Sequence, residues 1–512
     1  MKFTESREDV AADLKNRRAE IDLTPDQFRR LGHDLVDRIA ELYDKIEQYP
    51  VTRGYTLDQI QEALQAGRGL PDKGTDPGPL LARAADLLVN NSLFIGHPRF
   101  WGYITSSAAP LGMLGDLLAA GINPNMGAWK ASPMGTEIEL QTLRWIAELI
   151  EYPTDCGGIL VSGGNMANFI GFLAARTVKI GEHVRTDGFL GGESGKYTVY
   201  VSAETHTWIH KAADLFGLGT NAVRWIETDE QLRLKPEILR QRIETDIADG
   251  FKPFLVVGTA GSVSTGAIDP LHSIHEVCRE FDLWFHVDGA YGAPAVLVAE
   301  PGDDILGLSH ADSVALDPHK WLYAPLEAGC ALVRDPEALR KTFSYHPAYY
   351  HFGNEVTNLV DFGPQNSRGF RALKVWLTLQ QVGREGYRRM IGDDIRLARS
   401  VWDAIENHPE LERRTQSLSI TTFRYIPSDL RQRSADTDVA EYLNELNEKL
   451  LGLIETSGEM FLSNAVVDGR FLLRMCIVNF RSSLRDVDAV PEVVCRYGSH
   501  LDGEIRPEGL RS

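Results

Sequence analysis

The chain is short of cysteine, of long apolar runs and of positive charge, and each shortage narrows what it can be. Five cysteines occur in 512 residues, Cys156, Cys278, Cys330, Cys476 and Cys495, scattered and odd in number, with no Cys-x-x-Cys pair. A disulfide framework and a structural zinc site are therefore not expected, and a reducing compartment fits. No apolar stretch approaches the length of a bilayer span. The N-terminal MKFTESREDVAADLKNRR is charged throughout and lacks an apolar h-region, so no signal peptide is expected and the chain reads as cytoplasmic. The net charge is -19, from 53 basic and 72 acidic residues, without a long basic run. That balance disfavours nucleic acid and anionic membrane as partners. Internal repeats and low-complexity tracts are missing too.

What is present is ordinary globular material, 43% hydrophobic and 24% charged, with ample core for more than one domain. Thr24-Pro-Asp-Gln27 reads as a capping box with proline at the first helical position. Phe28, Leu31, Leu35, Ile39, Leu42 and Ile46 then repeat at helical spacing. From about residue 110 to 335 short apolar runs alternate with helical stretches. Gly158–Val161, Tyr197–Val201, Phe254–Val257, Trp284–Val287 and Ser313–Leu316 read as strands, with helices near 166–178, 206–216, 236–248 and 271–281. Such alternation implies an α/β fold with a mostly parallel sheet covered by helices. A long helical stretch follows Phe370-Arg-Ala-Leu-Lys374. Leu418–Tyr425 and Phe471–Ile477 read as strands of a smaller C-terminal α+β domain. The expected division is an N-terminal helical segment over 1–108, a large domain over 109–388 and a small domain over 389–512.

Two segments carry the chemistry. Ser313-Val-Ala-Leu-Asp-Pro-His-Lys320-Trp321 ends an apolar strand in a lone lysine, and upstream Leu283-Trp-Phe-His-Val-Asp288-Gly-Ala-Tyr291 ends another in a lone carboxylate. Parallel strands deliver such termini to one sheet edge, where ligands of open α/β folds sit. A lysine and an aspartate there suit pyridoxal 5'-phosphate, the lysine forming a Schiff base and the aspartate pairing with the pyridinium nitrogen. His206 and His210 stand four residues apart, but neither His-Glu-x-x-His nor a third ligand accompanies them, so no metal site is expected.

Asp317 to Trp321 and His286 to Tyr291 match, in order, two signatures of the group II pyridoxal-phosphate-dependent amino-acid decarboxylases, which the chain resembles from Leu23 to about Tyr497. The resemblance implies the type I fold of such enzymes, pyridoxal 5'-phosphate as cofactor, and a homodimer with each site shared between subunits. It implies Lys320 as the Schiff-base lysine, Asp288 at the ring nitrogen and His206 stacked on the ring. Ser162-Gly163-Gly164-Asn165 resembles the family's phosphate loop, where glycines admit a close backbone approach and a helix start presents free N–H groups. Thr259, Ala290 and His319 match further cofactor positions. His97-Pro-Arg-Phe-Trp101-Gly-Tyr103 and Asn123-Pro-Asn-Met126-Gly-Ala-Trp129 match substrate-pocket segments, the second reaching a neighbouring subunit's site.

The expected activity is decarboxylation of an L-amino acid, led by aromatic substrates, to the amine and CO2. Relatives that form amines carry a proton-donating tyrosine on a loop before the arginine here numbered Arg368. Val360-Asp-Phe-Gly-Pro-Gln-Asn-Ser367 has no tyrosine, and Tyr350 is the candidate for that role. Loss of the loop tyrosine is associated with decarboxylation plus oxidative deamination, so an aldehyde synthase is the second reading. A decarboxylase of an acidic amino acid is the third. An aminotransferase shares the large domain, but the Asp-Pro-His-Lys signature disfavours it. Arg368 itself is left without a role.

Overall fold

The computed structural model describes residues 11, 14–15, 17, 19–189, 195–345 and 356–511. It divides into two compact units, one ending at Leu93 and the other beginning at Phe94.

The first unit is helical. Helix α1 (Pro25–Asp44) starts as its sequence requires. Thr24 Oγ1 accepts from the Gln27 backbone N–H and Gln27 Oε1 accepts from the Thr24 backbone N–H. Helix α2 (Leu57–Leu64) repeats the device with Thr56 and Gln59. Helix α3 (Pro77–Asn91) is capped by Asp76 and carries proline in its first turn. Arg38 and Asp86 join α1 to α3 at 2.7 Å. No residue of α1 is buried, and Phe28, Val36 and Ile39 stand exposed.

The second unit is built on a seven-stranded sheet ordered β1-β7-β6-β5-β4-β2-β3. Its strands are β1 (Gly157–Val161), β2 (Tyr197–Ser202), β3 (Val223–Ile226), β4 (Lys252–Thr259), β5 (Trp284–Asp288), β6 (Ser313–Leu316) and β7 (Gly329–Val333). The pairs β3–β2, β2–β4, β4–β5 and β5–β6 are parallel, and only β7 runs against its neighbours β1 and β6. Because β7 reverses between them, β1 and β6 run the same way. Six strands therefore discharge at the same edge. Both faces are covered, which is why β1, β2, β5, β6 and β7 are buried throughout. Helix α4 (Pro110–Ile122) leaves Leu114, Leu117, Leu118 and Ile122 exposed. Helix α5 (Pro133–Leu149) packs Leu143 and Ile146 into one core layer. Helix α6 (Gly164–Ile180) packs Ile170 and Phe172 into the other, together with Trp208 and Ile209 of α7 (Trp208–Leu215). The sheet and its helices are those the alternating pattern predicts, with β3 and β7 added.

Helix α8 (Ala372–Ile405) follows, interrupted at Gly383, whose φ of 64° takes it out of helical geometry. It leads to a second sheet, all antiparallel, ordered β10-β11-β9-β8. These strands are β8 (Leu411–Ser417), β9 (Ile420–Tyr425), β10 (Ser463–Val467) and β11 (Arg470–Cys476). Val439, Leu443 and Leu450 of α9 (Thr437–Ser457) and Val490 and Val494 of α10 (Val490–Ile505) close its core against Phe423, Leu473 and Met475.

Candidate active site

At the shared strand edge lies a cavity of about 580 Å³. Each strand contributes the residues just past its end. β1 gives Ser162, Gly163 and Gly164; β2 leads to His206; β4 ends in Thr259; β5 ends in Asp288; β6 leads to Asp317, His319 and Lys320. Thr259, Asp288 and Ala315 sit side by side in register across β4, β5 and β6. All nine residues that the sequence suggests for cofactor binding, Gly163, Gly164, Asn165, His206, Thr259, Asp288, Ala290, His319 and Lys320, line this one cavity.

Lys320 Nζ lies 3.1 Å from Asp317 Oδ2, an oxygen that also stands 3.7 Å from His319 Nε2. Asp317 is buried, and its other oxygen has no hydrogen-bond partner. The backbone bearing the lysine is fixed from both sides. Ser106 Oγ donates to the His319 carbonyl at 2.8 Å, and His319 Nδ1 meets the Ala328 carbonyl at 2.7 Å. Behind it, Trp321 Nε1 and Tyr323 Oη both donate to Asp394 of α8, at 2.8 and 2.6 Å. Burial raises Asp394 to about 7 against the opposing pull of those two donors.

Asp288 is buried and doubly held. Its Oδ2 accepts from Trp208 Nε1 at 2.7 Å and its Oδ1 from the Ala290 backbone at 3.2 Å. His206 lies open at the cavity rim, and its Nδ1 accepts from the Trp208 backbone N–H at 3.3 Å. Partial desolvation lowers its pKa, with the Asp288 charge acting the other way. Desolvation likewise lowers His319, opposed by Asp317. Both shifts favour the neutral ring.

The cavity suits pyridoxal 5'-phosphate on three observations. Gly163 (φ 144°) precedes α6 without any side-chain cap, leaving first-turn N–H groups for an anion. A Cβ on Gly164 would stand 2.7 Å from Asp317 Oδ2 and 3.2 Å from the Ala290 methyl, so no larger residue keeps this cradle. Thr259 Oγ1 is buried with no hydrogen-bond partner, as is Asp317 Oδ1, and both residues line the cavity. Uncapped helix-start N–H groups, a carboxylate and an amine thus stand around one space.

The four side chains expected at the substrate pocket are elsewhere in this chain. Trp101 is fully buried in the core of the four-stranded sheet, its Nε1 donating to Ser482 Oγ at 2.9 Å. An indole with a buried partner at hand packs inward. Tyr103 is 57% exposed, its ring tilted against Phe461, while its neighbour Ile104 lines the cavity. Met126 is fully buried. Trp129 is half-buried, with Nε1 donating to Glu137 at 2.9 Å. Tyr350 lies outside the described residues. Arg368, unassigned by sequence, is buried and forms an ion pair with Glu139. It also donates to the carbonyls of Leu160 and Met126, at 2.7 and 3.2 Å. It clamps the segment around Met126 to β1 and α5. Sequence reasoning also passed over Leu326 and Glu327, which line the cavity, and Trp208. A buried indole signals an acceptor somewhere, yet its place two residues after His206 does not name that acceptor.

Comparison with known proteins agrees with this geometry. The family described as the pyridoxal-dependent decarboxylase conserved domain matches residues 68–425. An aromatic-L-amino-acid decarboxylase of Bacillus atrophaeus is 33% identical, over 91% of this chain and 94% of that protein. A phenylacetaldehyde synthase of a Rosa hybrid cultivar is 31% identical, over 89% and 90%. Among solved structures, Oryza sativa TDC with PLP and tryptamine superposes with a TM-score of 0.87 at 26% identity, covering 94% of this chain and 100% of that one. With that family match spanning most of its length and the strand-edge cavity described above, the chain belongs to the pyridoxal-dependent decarboxylases.

Proposed function

We propose that this pyridoxal-phosphate-dependent amino-acid decarboxylase acts on an aromatic L-amino acid, releasing the amine and CO2 at the cavity around Lys320 and Asp288. The observation that carries the assignment of the site is the convergence of nine residues from five strand ends on that cavity. In support of an aromatic substrate, the described residues lining it include no arginine; their basic groups are Lys320, His206 and His319. An acidic substrate side chain would need a cation beyond these. Ile104, Met166, Val263 and Leu326 add apolar surface. The relative from Bacillus atrophaeus is named for aromatic substrates.

When bound, pyridoxal 5'-phosphate supplies the electron sink that accepts the bonding pair left as CO2 departs. The chain supplies the rest. Gly163, Gly164 and Asn165 would hold the phosphate at the start of α6. Lys320 offers the amine that would tether the cofactor, with Asp317 Oδ2 3.1 Å from it. Asp288 would hold a negative charge toward the ring nitrogen, where low solvation would strengthen it. His206 and Thr259 would bound the ring, and His319 would lie on the phosphate side of the cavity. Tyr350 is the candidate to deliver the proton to the substrate carbon.

We assign a homodimer in the cytoplasm as the working form. The exposed apolar residues Phe28 and Ile39 of α1, and Leu114 and Leu118 of α4, support it. So does the position of Trp129, half-buried and outside its own chain's cavity, which suits a side chain serving a neighbouring subunit. All five cysteines are free thiols, in keeping with a reducing compartment. Among the described residues no helix is long and apolar enough to cross a membrane.

A second reading, decarboxylation plus oxidative deamination to an aldehyde, is favoured by the Rosa relative's name and by the missing tyrosine before Arg368. Incubating the holoenzyme with each common L-amino acid, and measuring CO2, amine, aldehyde, ammonia and hydrogen peroxide, separates the readings. Amine without peroxide from an aromatic substrate supports the first; aldehyde with ammonia and peroxide replaces it with the second. Turnover confined to glutamate or aspartate rejects both.

A further inference from the structure

A buried polar cluster lies behind the cavity wall, and the reaction above does not use it. Trp208, the first residue of α7, is fully buried. Its indole N–H donates to Asp288 Oδ2 at 2.7 Å, and its backbone N–H donates to His206 Nδ1 at 3.3 Å. One residue therefore holds two of the groups assigned to the cofactor. The indole has a fixed back-stop. His286 meets it edge-to-face at 5.7 Å between ring centroids. His286 Nδ1 is 2.7 Å from Ser313 Oγ, and its Nε2 is 2.7 Å from Asn168 Oδ1. Because Asn168 Oδ1 only accepts, Nε2 carries the proton and the Ser313 hydroxyl donates to Nδ1. Ser313 Oγ in turn accepts from Trp284 Nε1 at 2.8 Å. Helix α6 leaves room for the ring by carrying Gly171 above it, where a Cβ would stand 2.6 Å from the imidazole. Burial lowers His286 to about 4, so it stays neutral and does not compete for the Asp288 charge.

We propose that Trp208 is a positioning residue that orients the Asp288 carboxylate through its indole N–H and fixes the His206 tautomer through its backbone. The choice of donor is physical. A neutral N–H stabilises and orients a carboxylate without cancelling its charge, whereas an arginine or protonated histidine at the same place would neutralise it. With Oδ2 held by Trp208 and Oδ1 by Ala290, the carboxylate keeps one rotamer and leaves its remaining lone pairs to the cavity. The backbone donation to Nδ1 places the His206 proton on Nε2.

The inference rests on Asp288 being the carboxylate that serves the cofactor's ring nitrogen, and its test distinguishes the two ideas. Pyridoxal 5'-phosphate is titrated into apoprotein, followed by absorbance and protein fluorescence, for wild type, Trp208→Phe, Asp288→Ala and the double variant. Trp208→Phe is expected to weaken cofactor binding tenfold or more, roughly the worth of one hydrogen bond to a charged group. In the Asp288→Ala background the same change is expected to weaken it less than about twofold. Equal losses in both backgrounds, or none in either, reduce Trp208 to core packing and overturn the proposal. If Asp288→Ala alone leaves cofactor binding intact, the assignment of Asp288 falls, and this inference with it. Should Trp208→Phe not fold, the indole 15N–1H spectra of wild type and Asp288→Ala decide. One indole resonance moving upfield on loss of the carboxylate supports the contact, and an unchanged set of indole resonances overturns it.

Discussion

Arg368→Met removes a guanidinium from a place no solvent reaches. Both partners are essentially inaccessible, with side chains 1% and 0% exposed, so Glu139 is left as an unpaired carboxylate in the core. Losing one member of a buried pair typically costs 3–5 kcal/mol, set against a total stability of about 5–15 kcal/mol. The Leu160 and Met126 carbonyls lose a donor as well. We expect a loss of about 4 kcal/mol, seen as a lower midpoint in equilibrium urea denaturation followed by circular dichroism. The second arm is Glu139→Gln combined with Arg368→Met. Glutamine keeps an acceptor for the Leu160 N–H, which Glu139 Oε1 receives at 3.0 Å, and removes the stranded charge. The native pair is imperfectly satisfied, since Glu139 Oε2 and Arg368 Nε have no partners, so the pair's desolvation is only partly offset. The double variant is therefore expected to recover at least half of the loss. A single variant within about 1 kcal/mol of wild type, or a double variant no better than the single, would refute the reasoning.

Lys320→Ala should leave a folded protein, with an unchanged circular dichroism spectrum, that releases no CO2. Gly164→Ala forces a methyl to 2.7 Å from Asp317 Oδ2; apoprotein titrated with pyridoxal 5'-phosphate should bind about tenfold more weakly, in line with overpacking of 1–3 kcal/mol. Asp394, raised from 3.8 to about 7 by burial, holds its proton in the folded protein after the unfolded chain has lost it. Stability should thus fall as pH rises through that window, and Asp394→Asn should flatten the profile by at most ~4 kcal/mol in denaturant midpoints measured from pH 4 to 8. Phe28→Glu with Ile39→Glu should shift the mass measured by light scattering from dimer toward monomer; an unchanged dimer would place its interface elsewhere.

The strands that sequence reading identified are those with dense apolar runs, such as Phe254–Val257 and Trp284–Val287. Three of those it passed over weaken that signal for a local reason. β3 is an edge strand with its middle residues partly exposed. β7 reads Gly-Cys-Ala-Leu-Val, buried but poor in β-branched residues. β10 alternates buried and exposed positions over only five residues. The residues expected at the cofactor could be placed together because each stands at a strand end or within a few residues of one, where order along the chain translates into position at a sheet edge. Trp101 was not, because composition cannot tell an aromatic that lines a pocket from one that fills a core. Arg368 and Trp208 were not either, since their partners, Glu139 and Asp288, lie far away in sequence and meet them only through the packing of different layers.

The break at Gly383 gives the long helix α8 two independent halves. The C-terminal half carries Asp394, which receives Trp321 and Tyr323, and four residues later Ala398, whose carbonyl accepts from Thr421 of β9 at 2.8 Å. One rod therefore fastens the turn that bears Lys320 to the four-stranded sheet. Were that sheet to tilt, the displacement would reach Asp394 and pull on Trp321 and Tyr323, next to a lysine whose own backbone is anchored to the large sheet.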